Sequence, residues 1–233
     1  MNKRIISTVA LLVAVVIASQ AILTGCKIDS NKNNTSPTQT SAELSEINIS
    51  ILNQADNLST IDNSIECTYA EFKSFNIPKN VYDNIATSKY ISEVKDSIGL
   101  PLLRKTGEVY YSVHPIKTDS NKKLYGFIMY NEQGKLIDGW CADRLLNKGD
   151  FSELLIGKSL SDTTKLDPYC SFMEEMNTNS ATSYHKLSRG KIYVINYQRN
   201  DKNSDYTIKN MHFINDPCNF TNCIFQKDLE LIL

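Results

Sequence analysis

The chain lacks the signatures by which most enzymes can be read. It has no Gly-x-Ser-x-Gly elbow, no His-Glu-x-x-His and no Gly-x-x-x-x-Gly-Lys-Ser/Thr loop. Only three histidines are present, His114, His185 and His212. There is also no surplus of charge, with 25 Lys+Arg against 26 Asp+Glu. Nucleic-acid binding wants a basic face or stripe, so that class is excluded. Calcium-loop chemistry is thin as well. Asp201 and Asp205 flank Lys202-Asn203-Ser204 without the carboxylate count or glycine of such a loop, so a solvated hairpin tip is expected.

What the sequence does have is a strongly marked N-terminus. Lys3 and Arg4 precede an apolar run, Ile5 to Leu23, broken by Ser7, Thr8, Ser19 and Gln20. A basic start, an apolar stretch and small residues before a cleavage point make a secretory signal. The run is nearly long enough to be a retained membrane anchor, which is the alternative. Against that, the small pair Thr24-Gly25 stands directly before Cys26, and the residues after it are polar and not a basic flank.

Leu23-Thr24-Gly25-Cys26 resembles the lipobox of bacterial lipoproteins. The resemblance implies cleavage before Cys26 and lipidation of that residue by acyl chains such as palmitate. It implies an exported protein anchored in the cell membrane on its extracytoplasmic side. Firm attachment needs more than one acyl chain, and the family's diacylglyceryl group supplies two. Removal of residues 1–25 takes away Lys3 and Arg4 and no acid, so 23 basic and 26 acidic side chains remain, a formal charge of −3.

With Cys26 assigned, Cys67, Cys141, Cys170, Cys218 and Cys223 remain. Five is odd, so they cannot all pair within one chain, and free, largely buried thiols are expected. Cys218 and Cys223 could close a small loop. Adding His212 matches no zinc spacing, and neither a metal nor a cofactor is expected.

Residues 26–50 read as a disordered tether of Lys, Asp, Ser, Asn, Thr, Pro and Gln that lifts the folded part off the membrane. Ile47, Ile49 and Ile51 alternate as a short strand would, though a helix through Leu44, Ile47, Ile51 and Leu58 fits about as well. A first folded unit is placed at 51–148 and a second at 149–233. In the first, Ile91, Val94 and Ile98 stand at helical spacing, with Ser88 or Ser92 as cap and Gly99-x-Pro101 as stop. Strands follow at 109–116, 124–130 and 135–140. In the second, Gly157 to Asp162 leads into a short helix ended by Asp167-Pro168, and strands follow at 182–187, 192–197 and 206–214. Ile91-Ser92-Glu93 matches Leu160-Ser161-Asp162, 69 residues later. The expected class is α+β: two tandem units, each a short helical segment packed on an antiparallel meander of about three to four strands.

Gly157-Lys158-Ser159-Leu160-Ser161-Asp162 and Tyr184-His185-x-x-x-Arg-Gly-Lys191 are similar to the SmpA/OmlA-type small lipoproteins. Ser92-Glu93-Val94 with Ile98-Gly99-Leu100-Pro101 fits the same pattern in the first half. That family shares the fold of the β-lactamase inhibitor protein, BLIP, a tandem of two such units. The resemblance covers roughly residues 85–215 and implies a BLIP-like fold and a non-catalytic role. Thr163 and Thr164 depart from it, standing where an apolar helix residue is expected.

The expected function is a membrane-anchored, non-catalytic protein-binding or inhibitor-like module whose partner is another envelope or extracellular protein. Strand aromatics give the expected binding face: Tyr110, Tyr125, Trp140, Tyr184, Tyr193 and Tyr197. The competing reading of these rings is core filling between sheet and helices. The competing function is a cell-surface hydrolase using a Cys/His pair, drawn as Cys170 with His185. A small-molecule carrier is disfavoured by the size of the folded part.

Overall fold

A computed structural model describes residues 40–55, 60–75, 89–119, 123–169, 172–224 and 226–231. The lipobox residues Leu23, Thr24, Gly25 and Cys26 lie outside the described residues, as does Cys170. Among the described residues, no helix is long and apolar enough to cross a membrane.

The first ordered element is a helix, α1, Ser41–Leu52. Thr40 and Glu43 form a capping box, each side chain accepting a hydrogen bond from the other's backbone N–H. The alternation Ile47, Ile49, Ile51 is therefore not a strand, and the last ten residues of the expected tether are helical. Asn48, Ile51 and Leu52 are buried, and the Asn48 Oδ1 accepts from the Ser92 backbone N–H at 3.3 Å. A local cap and a tertiary contact decide what the short apolar pattern left open. After a two-residue strand, β1 (Cys67–Thr68), comes a short helix, α2 (Tyr69–Lys73), again with a capping box, Thr68 with Glu71.

The rest of the chain runs through one plan twice. Helix α3 (Ile91–Ile98) leads to β2 (Leu103–Thr106), β3 (Val109–Lys117), β4 (Leu124–Tyr130) and β5 (Leu136–Ala142). After a 3-10 turn (Lys148–Phe151), helix α4 (Leu160–Leu166) leads to β6 (Phe172–Asn177), β7 (Ser180–Leu187), β8 (Lys191–Gln198) and β9 (Thr207–Asn215). Each set of strands is an antiparallel meander, and β1 adds in parallel to β3 in the first sheet. The class is α+β, with each half a helix and a four-stranded meander. The extra strands β2 and β6 are those that a three-strand count leaves out.

Corresponding details recur. The residue before each helix forms a bridge at the start of the last strand of its own sheet, Tyr90 to Lys135, just ahead of β5, and Ser159 to Thr207, the first residue of β9. Helix α3 thus starts from Tyr90 and not from a capping serine; Glu93 accepts from the Tyr90 N–H at 3.0 Å. Ser159 and Asp162 form a full capping box on α4. The β7–β8 turn places Arg189 and Gly190 both at positive φ, a pairing suited to hairpin twist. A side chain at residue 190 would strike Asn219, so glycine is needed there for space as well as conformation.

Three apolar cores result. One lies between α1, α2, α3 and one face of the first sheet, around Phe72, Ile91, Val94, Ile128 and Tyr130. The second covers the opposite face of that sheet with the chain's own C-terminal segment: Phe220, Ile224 and Leu229 pack on Tyr111, Val113, Phe127 and Trp140. The third lies over the second sheet and gathers Phe151, Leu154, Leu187, Ile195, Tyr197 and Ile208. Residues from Thr40 to the C-terminus form one compact unit. The expected boundary at 148/149 separates two structural repeats, but the segment after β9 returns to the first sheet, and α1 contributes to the first core from residue 41 onwards.

The C-terminal segment is fastened at both ends. Thr221 Oγ1 accepts from the Gly190 N–H and donates to the Leu187 carbonyl, both at 2.9 Å. Its last helix (Gln226–Leu229) carries Asp228, which is buried, accepts from Tyr111 OH at 2.6 Å and lies 3.5 Å from Arg104 Nε.

Candidate functional site

Strand periodicity sends residues i and i+2 to one face, so Ser183 and His185 on β7 both point under α4. Ser183 Oγ is 2.8 Å from His185 Nε2 and 2.9 Å from Tyr197 OH of β8. His185 Nδ1 is 2.7 Å from Asp167 Oδ2, and Asp167 is the residue that ends α4. Serine, histidine and aspartate therefore stand in the order and at the distances that a hydrolase triad uses.

Two observations determine what this array can do. The first is burial: Ser183 and His185 are each 1% exposed, and Asp167 is 9% exposed. Phe151 packs its ring against both His185 and Tyr193, with centroids 5.3 and 5.0 Å away. The open groove of about 520 Å³ beside α4 is lined by Ser159, Leu160, Lys165, Arg199 and Tyr206, among others, and by none of the three. A nucleophile needs a place beside it for a substrate atom, and this serine spends its hydroxyl on the histidine and the tyrosine.

The second observation is duplication. Ser112 Oγ is 2.6 Å from His114 Nε2 and 2.9 Å from Tyr130 OH, and Ser112 and His114 are fully buried. The registers agree: Ser112 faces Ile128 and Ser183 faces Ile195, and each tyrosine lies two residues beyond that isoleucine. Both halves thus carry the same Ser–His–Tyr tie across their second and third strands. Among the described residues, no acid reaches the histidine of the first half. Its helix ends at Gly99, where Asp167 ends α4, and His114 Nδ1 has no hydrogen-bond partner among the described residues. Burial pushes His114 down to about 3, so it is neutral at ordinary pH. Gly126 faces His114 across the sheet, and the Phe72 ring occupies the space a side chain there would take. In the second half Tyr193 faces His185 instead.

A second polar cluster joins the halves. Lys186, on the other face of β7, is fully buried, with Nζ 2.5 Å from Asp138 Oδ2 of β5 and 3.0 Å from Asp216 Oδ2. Its ammonium also lies 5.3 Å from the centre of the Phe220 ring. Asp138, Asp216 and Cys218 place their ligand atoms within 4.8 Å of one another, a set that could hold a metal. The Lys186 ammonium already supplies the positive charge that the two carboxylates need, so the residues fit an internal ion pair better than a metal site. Burial raises Asp138 to about 6, with Lys186 pulling in the opposite direction. Cys218 is pushed up to about 12 and Cys67 to about 11, chiefly by burial, and Cys141 is also raised well above its ordinary value. Cys67, Cys141, Cys218 and Cys223 are free thiols with no activation toward nucleophilic chemistry.

The expected aromatic binding face is corrected. Tyr110, Tyr125, Trp140, Tyr193 and Tyr197 are buried, and Tyr184 is half-buried. They do not share a face: Tyr110 belongs to the core beneath the helices, Tyr125 and Trp140 to the core under the C-terminal segment, and Tyr193 and Tyr197 to the core of the second sheet. Core filling is what the five buried rings do. The Cys170–His185 pairing falls outside the described residues on its cysteine side, and His185 is engaged by Ser183 and Asp167. Asp201 accepts from the Asn203 N–H at 2.8 Å and so closes its own hairpin loop. Sequence reading missed the Ser–His–Tyr ties, although Ser-x-His recurs at 112–114 and 183–185 and Ile-x-Tyr at 128–130 and 195–197. Comparison with protein-family models finds no matching family, and comparison with curated proteins finds no matching relative.

Proposed function

We propose that this chain is a lipid-anchored, non-catalytic binding protein of the cell envelope, built as two BLIP-like repeats. The observation that carries the non-catalytic reading is the duplicated Ser–His–Tyr tie. An element that recurs in both halves, buried each time and, among the described residues, joined by an acid in only one, is a way of fixing strand register under a helix. A reaction centre would need an opening and would not need a copy. The helix-plus-meander plan of each half supports the likeness to BLIP-type tandems, and the lipobox resemblance of Leu23-Thr24-Gly25-Cys26 supports export and anchoring through Cys26. The partner is another envelope or extracellular protein.

The anchoring part is tested by labelling producing cells with a palmitate analogue. The chain takes up label and fractionates with membranes, and Cys26→Ala removes the label; label retained by that variant overturns the anchor. Cross-linking on whole cells tests the partner: a defined envelope or extracellular protein is captured, and reproducible capture of none contradicts the binding role. A second reading, a serine hydrolase using Ser183, His185 and Asp167, is favoured by the 2.8 and 2.7 Å distances alone. It requires the core over β7 to open.

A further inference from the structure

The Ser–His–Tyr ties align the two halves residue for residue, Ser112 with Ser183 and Tyr130 with Tyr197. The positions next to them face the other side of each sheet. In the first half these are Tyr111 and its partner Met129, which faces Asp138 on the next strand. Tyr111 and Met129 are fully buried in the core under the C-terminal segment. In the second half the same positions are Thr182, Asn196 and Asn210. Among the described residues, the C-terminal segment meets the second sheet at Lys186, Leu187 and Gly190, toward the other end of β7, and so leaves this polar row uncovered.

At the end of that row lies an open groove of about 510 Å³, walled chiefly by amides and hydroxyls: Asn177, Asn179, Ser180, Thr182, Asn196 and Gln198. Thr182 Oγ1 donates to Asn196 Oδ1 at 2.9 Å, which orients the Asn196 amide and leaves its Nδ2 group to donate elsewhere. The turn at the groove's rim is held in place. Asn177 Oδ1 accepts from the Asn179 N–H at 2.8 Å, and Arg199 bonds the Asn179 carbonyl through its backbone N–H at 2.9 Å and the Thr178 carbonyl through Nε at 2.6 Å. Among the described residues, no hydrogen bond engages Asn196 Nδ2 or the side-chain amides of Asn179 and Gln198. Charge around the groove is sparse and mixed. Lys209 stands on one wall, Glu174 joins the row in register with Thr182, and the Arg199 guanidinium is stacked on Tyr206, 4.4 Å from the ring centre.

We propose that this groove is a binding site for an uncharged oligosaccharide. Each amide and hydroxyl on its walls offers both a donor and an acceptor, as each sugar hydroxyl does. A phosphate or nucleotide calls for clustered cations or a helix N-terminus, and here a single lysine stands on the described wall. A peptide side chain calls for an apolar pocket, and these walls are polar. The apolar face of a pyranose also has a partner. Tyr184 is half-buried on the same face, two residues along β7 from Thr182, and pairs with Val194. The groove thus combines fixed, two-way hydrogen-bonding groups with an aromatic ring beside them, at the positions that the first half fills with core. The proposal goes beyond the protein-binding reading and does not rest on it.

The test titrates the full chain, solubilised in a sugar-free detergent, with maltotetraose, cellotetraose, chitotetraose and mannotetraose, and with trigalacturonate as the charged comparison. Saturation-transfer NMR reads binding. At least one uncharged tetrasaccharide binds. Asn196→Leu and Thr182→Val keep side-chain size but remove the polar atoms, and each weakens that binding at least about tenfold with the circular dichroism spectrum unchanged. Lys209→Gln removes the charge and changes the affinity by less than about threefold. Binding of none of the four tetrasaccharides, binding of trigalacturonate alone, loss of binding in Lys209→Gln, or undiminished binding in Asn196→Leu overturns the proposal. Loss of a cross-linked protein partner in Asn196→Leu, with no tetrasaccharide bound, assigns the groove to a protein and overturns it too. Should Asn196→Leu or Thr182→Val fail to fold, Asn179→Ala on the exposed turn supplies the same test, and undiminished binding there counts in the same way.

Discussion

Lys186 Nζ lies 2.5 Å from Asp138 Oδ2, and this contact joins β7 of the second half to β5 of the first. With Asp216 at 3.0 Å on its other side, the ammonium is held between carboxylates from either side of the repeat boundary. The two halves are thus parts of one fold, and their junction is polar and buried.

Breaking that junction on one side is costly because it leaves buried charge without compensation. Lys186→Met should lower stability by about 3–5 kcal/mol. Adding Asp138→Asn should restore part of the loss. Urea unfolding of the three proteins measures both steps, and additive losses in the double variant would contradict the ion-pair account.

The Ser–His–Tyr ties predict a matched pair of effects. Ser183→Ala and Ser112→Ala each strand a buried histidine nitrogen and a tyrosine hydroxyl, at a cost of about 1–3 kcal/mol. Similar losses in the thermal unfolding of both variants are expected. A Ser183 variant as stable as wild type would show that the second tie contributes nothing to the fold.

The pH dependence follows from two buried groups that act in opposite directions. His114 is held down to about 3 by burial, against an ordinary 6.5. The unfolded chain therefore takes up that proton first, and stability present above 6.5 is withdrawn as pH falls toward 3. Asp138 is raised to about 6 by burial, so the folded protein takes up that proton first. Its protonation adds stability as pH falls from about 6 toward its ordinary 3.8. Each effect has a slope of up to ~1.4 kcal/mol per pH unit, and over this window they largely cancel. His114→Gln removes only the first, so on going from pH 7 to pH 4 its stability should change more favourably than that of wild type by about 3 kcal/mol, which makes the variant gain stability where wild type changes little. Unfolding midpoints at the two pH values test this, and equal changes in both proteins would contradict it.

Gly126 leaves the space that the Phe72 ring fills over His114. Gly126→Ala should overpack this core and cost about 1–3 kcal/mol. Phe72→Leu in the same chain should recover part of it. If the double variant is less stable than either single one, the two residues do not share that space.

The fold was legible where local chemistry and tertiary packing agree. Ile91, Val94 and Ile98, closed by Gly99, announce α3, and the aromatic and β-branched runs announce β3, β4, β7 and β8. The helix starts at Ile91 and Leu160 were the thin thread of a repeat that the bridges at Tyr90 and Ser159 complete. What the sequence left undecided depends on distant partners. Ile47, Ile49 and Ile51 become helical because Thr40 caps the helix and Asn48 meets Ser92. Tyrosines on strands look alike whether a sheet face is open or covered. Here Phe220 and Leu229, about a hundred residues downstream, cover the face that holds Tyr125 and Trp140. Ser-x-His on one strand gives no sign of Asp167, because only the packing of α4 on the sheet brings that carboxylate to the ring.

On the proposed reading, Ser183, His185 and Asp167 are part of the core and not a reaction centre. Treating the native chain with a fluorophosphonate, which modifies activated serines, and locating any adduct by mass spectrometry tests this most directly. No adduct at Ser183 is expected in the folded protein. Modification of Ser183 in the folded chain, abolished by His185→Ala in a variant that still folds, would contradict it.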